Sequence, residues 1–271
     1  MTRLPLLADD HAVGKVVVVG ILGGLLAGMF GVGGGIVMVP LFVFLLGLDQ
    51  RTAATTSLIA IIPISVLGMA GYATGNAVAW GPGVVIGIGS IVGGQIGVRL
   101  LPRVPIPALQ IGFAALLLYS AYRLVLPGAA ETSTGSGQHQ WWSLVLIGLV
   151  VGLVAGVLAG LLGIGGGIVV VPALVLVAGL DLNVARGTSL LVVLFTAVTA
   201  SVTTVRAGQA ETGIGLWAGI AGAPASLLAA VVAQWIPQQL AAVLFAVLMV
   251  VAAIQLARKA WIGLRAGASP T

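Results

Sequence analysis

The 271 residues are 60% hydrophobic and only 6% charged, against about a quarter charged in a soluble domain. Such a chain cannot cover a water-facing surface, and a mean hydropathy of +1.23 makes lipid its solvent. The net charge of +5 comes from 11 basic residues scattered singly, which excludes a nucleic-acid-binding stripe, and the lack of cysteine excludes disulfides and thiolate chemistry.

The polar start, "MTRLPLLADDHAVGK", has neither a hydrophobic core nor a small-residue cleavage site and reads as retained rather than cleaved. Five apolar segments follow: Lys15–Gly28, Ile36–Leu48, Thr52–Tyr72, Pro82–Leu100 and Ile106–Leu126. After a polar linker, residues 127–140, five more appear: Trp141–Gly160, Ile168–Leu180, Val184–Arg206, Ile214–Val232 and Gln238–Trp261. Backbone groups in hydrocarbon must pair internally, so all are predicted helices. Trp80, Trp141, Trp142, Trp235 and Trp261 stand at segment ends, as an interfacial belt requires.

The second set repeats the first. "FGVGGGIVMVP" (Phe30–Pro40) and "LGIGGGIVVVP" (Leu162–Pro172) share eight of eleven residues at a separation of 132 positions. At the same separation Gly20, Gly24 and Gly28 fall on Gly152, Gly156 and Gly160, and Thr56-Ser57 on Thr188-Ser189. "TGNA" from Thr74 matches "AGQA" from Ala207 after a one-residue shift. The predicted organisation is a first transmembrane repeat over 1–126, the linker, and a second repeat over 141–271. The fold class is all-α and polytopic, with two homologous halves. Each half holds a glycine-broken helix, re-entrant or discontinuous, plus three spanning helices.

Lys15–Leu48 is too long for one comfortable span and too short for two. If it enters and leaves on one side, three spans per half remain and the halves are inverted repeats. Arg3, Lys15, Arg51, Arg99, Arg103, Arg206, Arg258, Lys259 and Arg265 then collect on one side, with Arg123 and Arg186 opposite. The positive-inside bias prefers this arrangement, with both termini cytoplasmic in a plasma-membrane protein.

Gly31, Gly33, Gly34 and Gly35, and their copies Gly163, Gly165, Gly166 and Gly167, break the helix, because each glycine costs about 1 kcal/mol in a helix interior. Each break starts a new helix with unpaired N–H groups at the positive end of its dipole, with Pro40 or Pro172 placed near the first turn. Two such starts aimed at one midplane point form an anion site of the kind secondary transporters use. The plainer reading is tight packing or a hinge; the matched repetition favours a site. Thr56, Ser57, Thr188 and Ser189 open a helix in each half, either capping it or donating hydroxyls to the anion. Arg51, Asn76, Arg186, Arg206 and Gln209 are candidates for an entrance or gate, although setting orientation or forming a turn would also satisfy them. Asp49 and Asp181 read as caps.

The doubled GxGGGxxxxP phrase, the two "TSL" triplets and the "TGNA" and "AGQA" turns resemble the TauE/SafE sulfite-exporter family. That resemblance implies a membrane transporter of sulfite or of related sulfur-containing or organic anions, built by duplication. The pattern departs from strict symmetry at Ala54-Thr55 against Arg186-Gly187. Two other functions compete. "GTSL" at Gly187–Leu190 suits an intramembrane serine hydrolase, but His11 and His139 both lie outside the spans, leaving no base. A membrane scaffold would have no use for the glycine breaks. No metal and no cofactor is expected; the partners are a small anion and the bilayer, with no nucleic acid, and a homo-oligomer stays open.

Overall fold

The computed structural model describes residues 10–100, 106–125, 141–162, 166–176 and 178–267. The linker 127–140 and the glycines Gly163 and Gly165 lie outside the described residues. The apolar segments form helices α1 (Asp10–Phe30), α2 (Gly35–Leu46), α3 (Gln50–Ala73), α4 (Trp80–Leu100) and α5 (Ile106–Val125). The second set is α6 (Trp141–Leu162), α7 (Gly167–Leu176), α8 (Leu182–Arg206), α9 (Thr212–Ala233) and α10 (Gln238–Gly267). Among the described residues five helices are long and apolar enough to cross a membrane. Trp80, Trp217, Trp235 and Trp261 are exposed at segment ends or slightly further in.

The halves interlock. α1 packs on α9 and, equivalently, α6 on α4; α3 also packs on α9 and α8 on α4; α3 meets α8 and α5 meets α10. The small-residue stripes make the closest of these contacts. A methyl group at Gly20, Gly24 or Gly28 would overlap the carbonyl oxygens of Ala218, Gly222 or Ser226 in turn. Gly152 and Gly156 meet Ile86 and Ser90 of α4 in the same way. Without side chains between them the backbones approach closely, which is the main source of helix affinity in lipid.

These contacts also fix direction. Residue numbers rise together along α1 and α9, along α3 and α9 (Gly219 against Ala60, Gly71 against Leu227) and along α4 and α6. The equivalent helices α3 and α8 run oppositely: Tyr72 lies against Gly187, Gly68 against Leu190, and Ile61 beside Val193 and Ala197. Equivalent helices that are antiparallel make the halves inverted. α2 doubles back along α1, with Gly34 and Met38 against Gly23 and Phe42 clustered with Val16 and Val19. The α1–α2 unit therefore re-enters rather than crosses.

Two details differ from the sequence reading. Asn76 (φ 54) and Gly208 (φ 66) are the left-handed residues of matching turns. The bonds from Ala77 N to Tyr72 O and from Gln209 N to Thr204 O repeat at the same separation. The register is therefore unbroken, and Asn76 matches Gly208 rather than Gln209. Local similarity of "TGNA" to "AGQA" misled because composition outweighed the turn geometry that only φ reveals. Pro40 and Pro172 end the stretches "GIVMVP" and "GIVVVP" that open α2 and α7. They sit in the second turn, where each removes an intrahelical donor.

Asp49 caps α3 by accepting from the N–H groups of Arg51 and Thr52, and Asp181 caps α8 by accepting from Asn183 N at 2.8 Å. Hydrogen bonding from Thr52 holds the Asp49 carboxyl below its ordinary value.

Candidate functional site

The two breaks meet beside the middle of α3 and α8. Gly33 packs on Val193 and Ile61, each about halfway along its helix and each the repeat-equivalent of the other. A methyl group at Gly167 would stand 2.8 Å from both Gly31 O and Val32 Cα, and one at Gly31 would stand 2.7 Å from Arg186 Cα. Gly31, Gly33, Gly34 and Gly166 hold φ between 72 and 78, where a side chain is strained. Gly34 caps α2 with no side-chain hydrogen bond.

The backbone donors at these breaks stand out. Gly34 O accepts from Val37 and Met38, and Gly166 O from Val169 and Val170, closing the first turns. Among the described residues none accepts from the N–H groups of Val32, Gly33, Gly34, Gly35 and Ile36, nor from those of Gly166, Gly167 and Ile168. All these residues are buried. An unmet buried donor costs roughly 1–3 kcal/mol. Five in succession, if left unmet, would rival the roughly 5–15 kcal/mol that holds a domain together.

The hydroxyl residues beside the breaks join the halves. Thr56 Oγ1 accepts from Glu211 N at 3.0 Å, and its equivalent Thr188 Oγ1 accepts from Ala79 N at 2.9 Å. Each caps the first backbone donor of the long helix after the turn in the other half. Ser189 Oγ donates to Gly31 O at 2.8 Å, with Gly167 O at 3.4 Å, so it bridges the carbonyls of both breaks. Ser57 Oγ donates to Ala54 O. Replacing either clasp threonine with valine leaves a backbone N–H without its acceptor. A loss of about 1–3 kcal/mol is expected for Thr56→Val and a similar loss for Thr188→Val, measured as unfolding of the detergent-solubilised protein. An effect in one half alone would contradict the equivalence.

The entrance candidates separate. Arg51, Arg206 and Gln209 are exposed on the side where α3 begins and α8 ends, and Thr55 Oγ1 there donates to Gln209 O. Asn76 is exposed on the opposite side. Arg186 does not sit at an interface as an orientation-setting charge would; it is 1% exposed, because α10 and the first break cover the start of α8. The sequence reading passed over Tyr72, which is fully buried and donates to Gly28 O at 2.8 Å in the last turn of α1. Its one signal was a phenol placed just inside an apolar segment end.

The profile of the Sulfite exporter TauE/SafE family matches residues 7–124 and again 147–270. The chain belongs to this family. The probable membrane transporter protein YunE of Bacillus subtilis (strain 168) is 26% identical over 214 residues, covering 72% of this chain and 78% of its own. No solved structure matches. One TauE/SafE match falls in each inverted half, and the long apolar helices make the chain a multi-pass membrane protein. Family and relative both point to a membrane transporter rather than an enzyme.

Proposed function

We propose that the protein carries a small anion across the plasma membrane, sulfite or a related sulfur-containing or organic anion. The anion is held at mid-depth by backbone N–H groups of the two glycine breaks. One observation carries this reading: two runs of buried donors, Val32 to Ile36 and Gly166 to Ile168, that no acceptor among the described residues meets. N–H groups at helix starts take negative charge, and two helix dipoles reinforce it. The site comprises Gly31, Gly33, Gly34, Gly35, Gly163, Gly165, Gly166 and Gly167, flanked by Thr56, Ser57, Thr188 and Ser189. The repeats are residues 1–126 and 141–271, joined by 127–140. The side bearing Lys15, Arg51, Arg206 and Arg258 is cytoplasmic by the positive-inside rule, and both termini lie there.

The test is anion binding by the purified protein, followed as thermal stabilisation, together with flux into vesicles. The panel holds sulfite, sulfate, thiosulfate, a sulfonate and a carboxylate. Selective stabilisation and saturable flux of one anion are expected. No response to any of them at saturating concentration would leave the glycines as packing residues and overturn the reading.

A further inference from the structure

Arg186 heads the largest fully buried side chains. Its Nη2 donates to Ala241 O at 3.0 Å, Nη1 reaches Asn183 Oδ1 at 3.4 Å, and Nε has no partner. The guanidinium lies beside the Tyr72 hydroxyl. Among the described residues no carboxylate makes an ion pair with it. Asp181 is the nearest acidic group, but it is exposed, caps α8 and accepts from Gln238 Nε2 at 2.8 Å. A buried cation without a counter-charge is costly, and inside a membrane such a residue marks function by default.

Its place gives that function a direction. The Arg186 backbone packs directly on Gly31, while its side chain turns back along α8 toward Asn183 and the start of α10. The charge therefore stands between the breaks and the side of the membrane where α8 begins. The repeat-related junction has nothing similar: at the same separation Arg186 falls on Ala54 and Tyr72 on Thr204.

We infer that Arg186, packed beside Tyr72, forms a second anion position, on one side only of the glycine breaks. There an oxyanion is held by charge before it reaches, or after it leaves, the backbone N–H groups of Val32–Ile36. The inference rests on the anion-carrier reading above and adds the residue that supplies the charge. The free Nε–H and a neighbouring Nη–H form a planar fork that matches two oxygens of one oxyanion, which a lysine ammonium cannot reproduce. A dianion gains more from that charge than a monoanion does.

The experiment measures binding of sulfite, sulfate and methanesulfonate to the full chain in detergent, for the wild type, Arg186→Gln and Arg186→Lys. Arg186→Gln is expected to weaken the dianions at least ten-fold and methanesulfonate less. Arg186→Lys is expected to keep part of the affinity while losing preference among the oxyanions. Unchanged affinities and an unchanged dianion-to-monoanion ratio in Arg186→Gln would overturn the inference. So would an equal loss for every anion accompanied by a lowered unfolding temperature without ligand, because that result marks a purely structural arginine. If the glutamine variant does not fold, Arg186→Lys decides, and wild-type preference in it overturns the inference. A wild type that binds none of the three sinks the anion-carrier reading itself; a wild type that binds, with variants that match it, sinks only the role of Arg186.

Discussion

Gly167→Ala is expected to lower anion flux at least ten-fold in a protein that still folds. Gly166 needs its positive φ, but Gly167 is not among the residues in that region, so alanine meets no backbone strain there. It meets the other half instead: the new methyl would lie 2.8 Å from Gly31 O and Val32 Cα. Ordinary contact is about 3.5–4.0 Å, so the two breaks must separate by roughly 1 Å. Overpacking of this size costs about 1–3 kcal/mol, which a folded membrane protein survives. Anion binding is less tolerant, because donors act only within about 2.7–3.2 Å of the acceptor. A shift of that size pulls one helix start away from an anion held by both. Gly81→Ala is the control, since a methyl at Gly81 touches nothing within 4 Å and wild-type flux is expected of it. Flux in vesicles, normalised to reconstituted protein, decides. Wild-type flux in Gly167→Ala would mean that the breaks do not act together.

How much of this was legible in the sequence depends on whether the cause is local. Helix positions are local, since hydrocarbon forces internal pairing, and the apolar segments marked α1 to α10, missing most at the start of α1 and the end of α10. Inversion was legible through charge: Lys15, Arg51 and Arg206 share a side because the bilayer sorts them. The glycine breaks were legible because no helix tolerates "GVGGG" unbroken. Partner choice was not. Nothing in "GILGGLLAG" says that its stripe meets α9 of the other half rather than a neighbour in its own. That choice emerges only when the matching bare backbones of Gly222 and Ser226 are in place. Thr56 and Thr188 looked equally like caps for their own helices, whereas they cap helices 155 and 109 positions away. Arg186, the fifth residue of α8 after its capping aspartate, had the appearance of an interfacial charge. Its burial depends on α10 arriving with the Ala241 carbonyl, a contact between distant segments.

Gly187→Thr, which gives the second half the residue that the first half has at Thr55, is expected to destabilise the protein by about 3 kcal/mol. The reverse exchange, Thr55→Gly, should cost about 2 kcal/mol, one for hydrogen bonding and one for glycine in a helix. A β-carbon at Gly187 overlaps Ala77 O and stands 2.7 Å from Tyr72 Cβ. The turn before α4 cannot retreat without drawing Ala79 N away from Thr188, so the cross-half clasp is lost as well. At Thr55 the same turn of the other half stands further off, leaving room for a hydroxyl that donates to Gln209 O, with Arg51 O and Thr52 O as alternative acceptors. The obstruction is the backbone oxygen of Ala77 first, then the Cβ and Cγ of Tyr72; at the repeat-related junction Tyr72 falls on Thr204 and Arg186 on Ala54. Gly187 is therefore the steric consequence of a close approach by the turn before α4, at the one of two repeat-related junctions that carries the buried cation and its phenol. Thermal unfolding in detergent ranks the two variants. If Gly187→Thr proved no worse than Thr55→Gly, the asymmetry around Arg186 would not be what forbids a side chain at 187. If Tyr72→Gly, which removes the Cβ and Cγ in front of position 187, recovered part of the loss, the steric link between residue 72 and the glycine would be established.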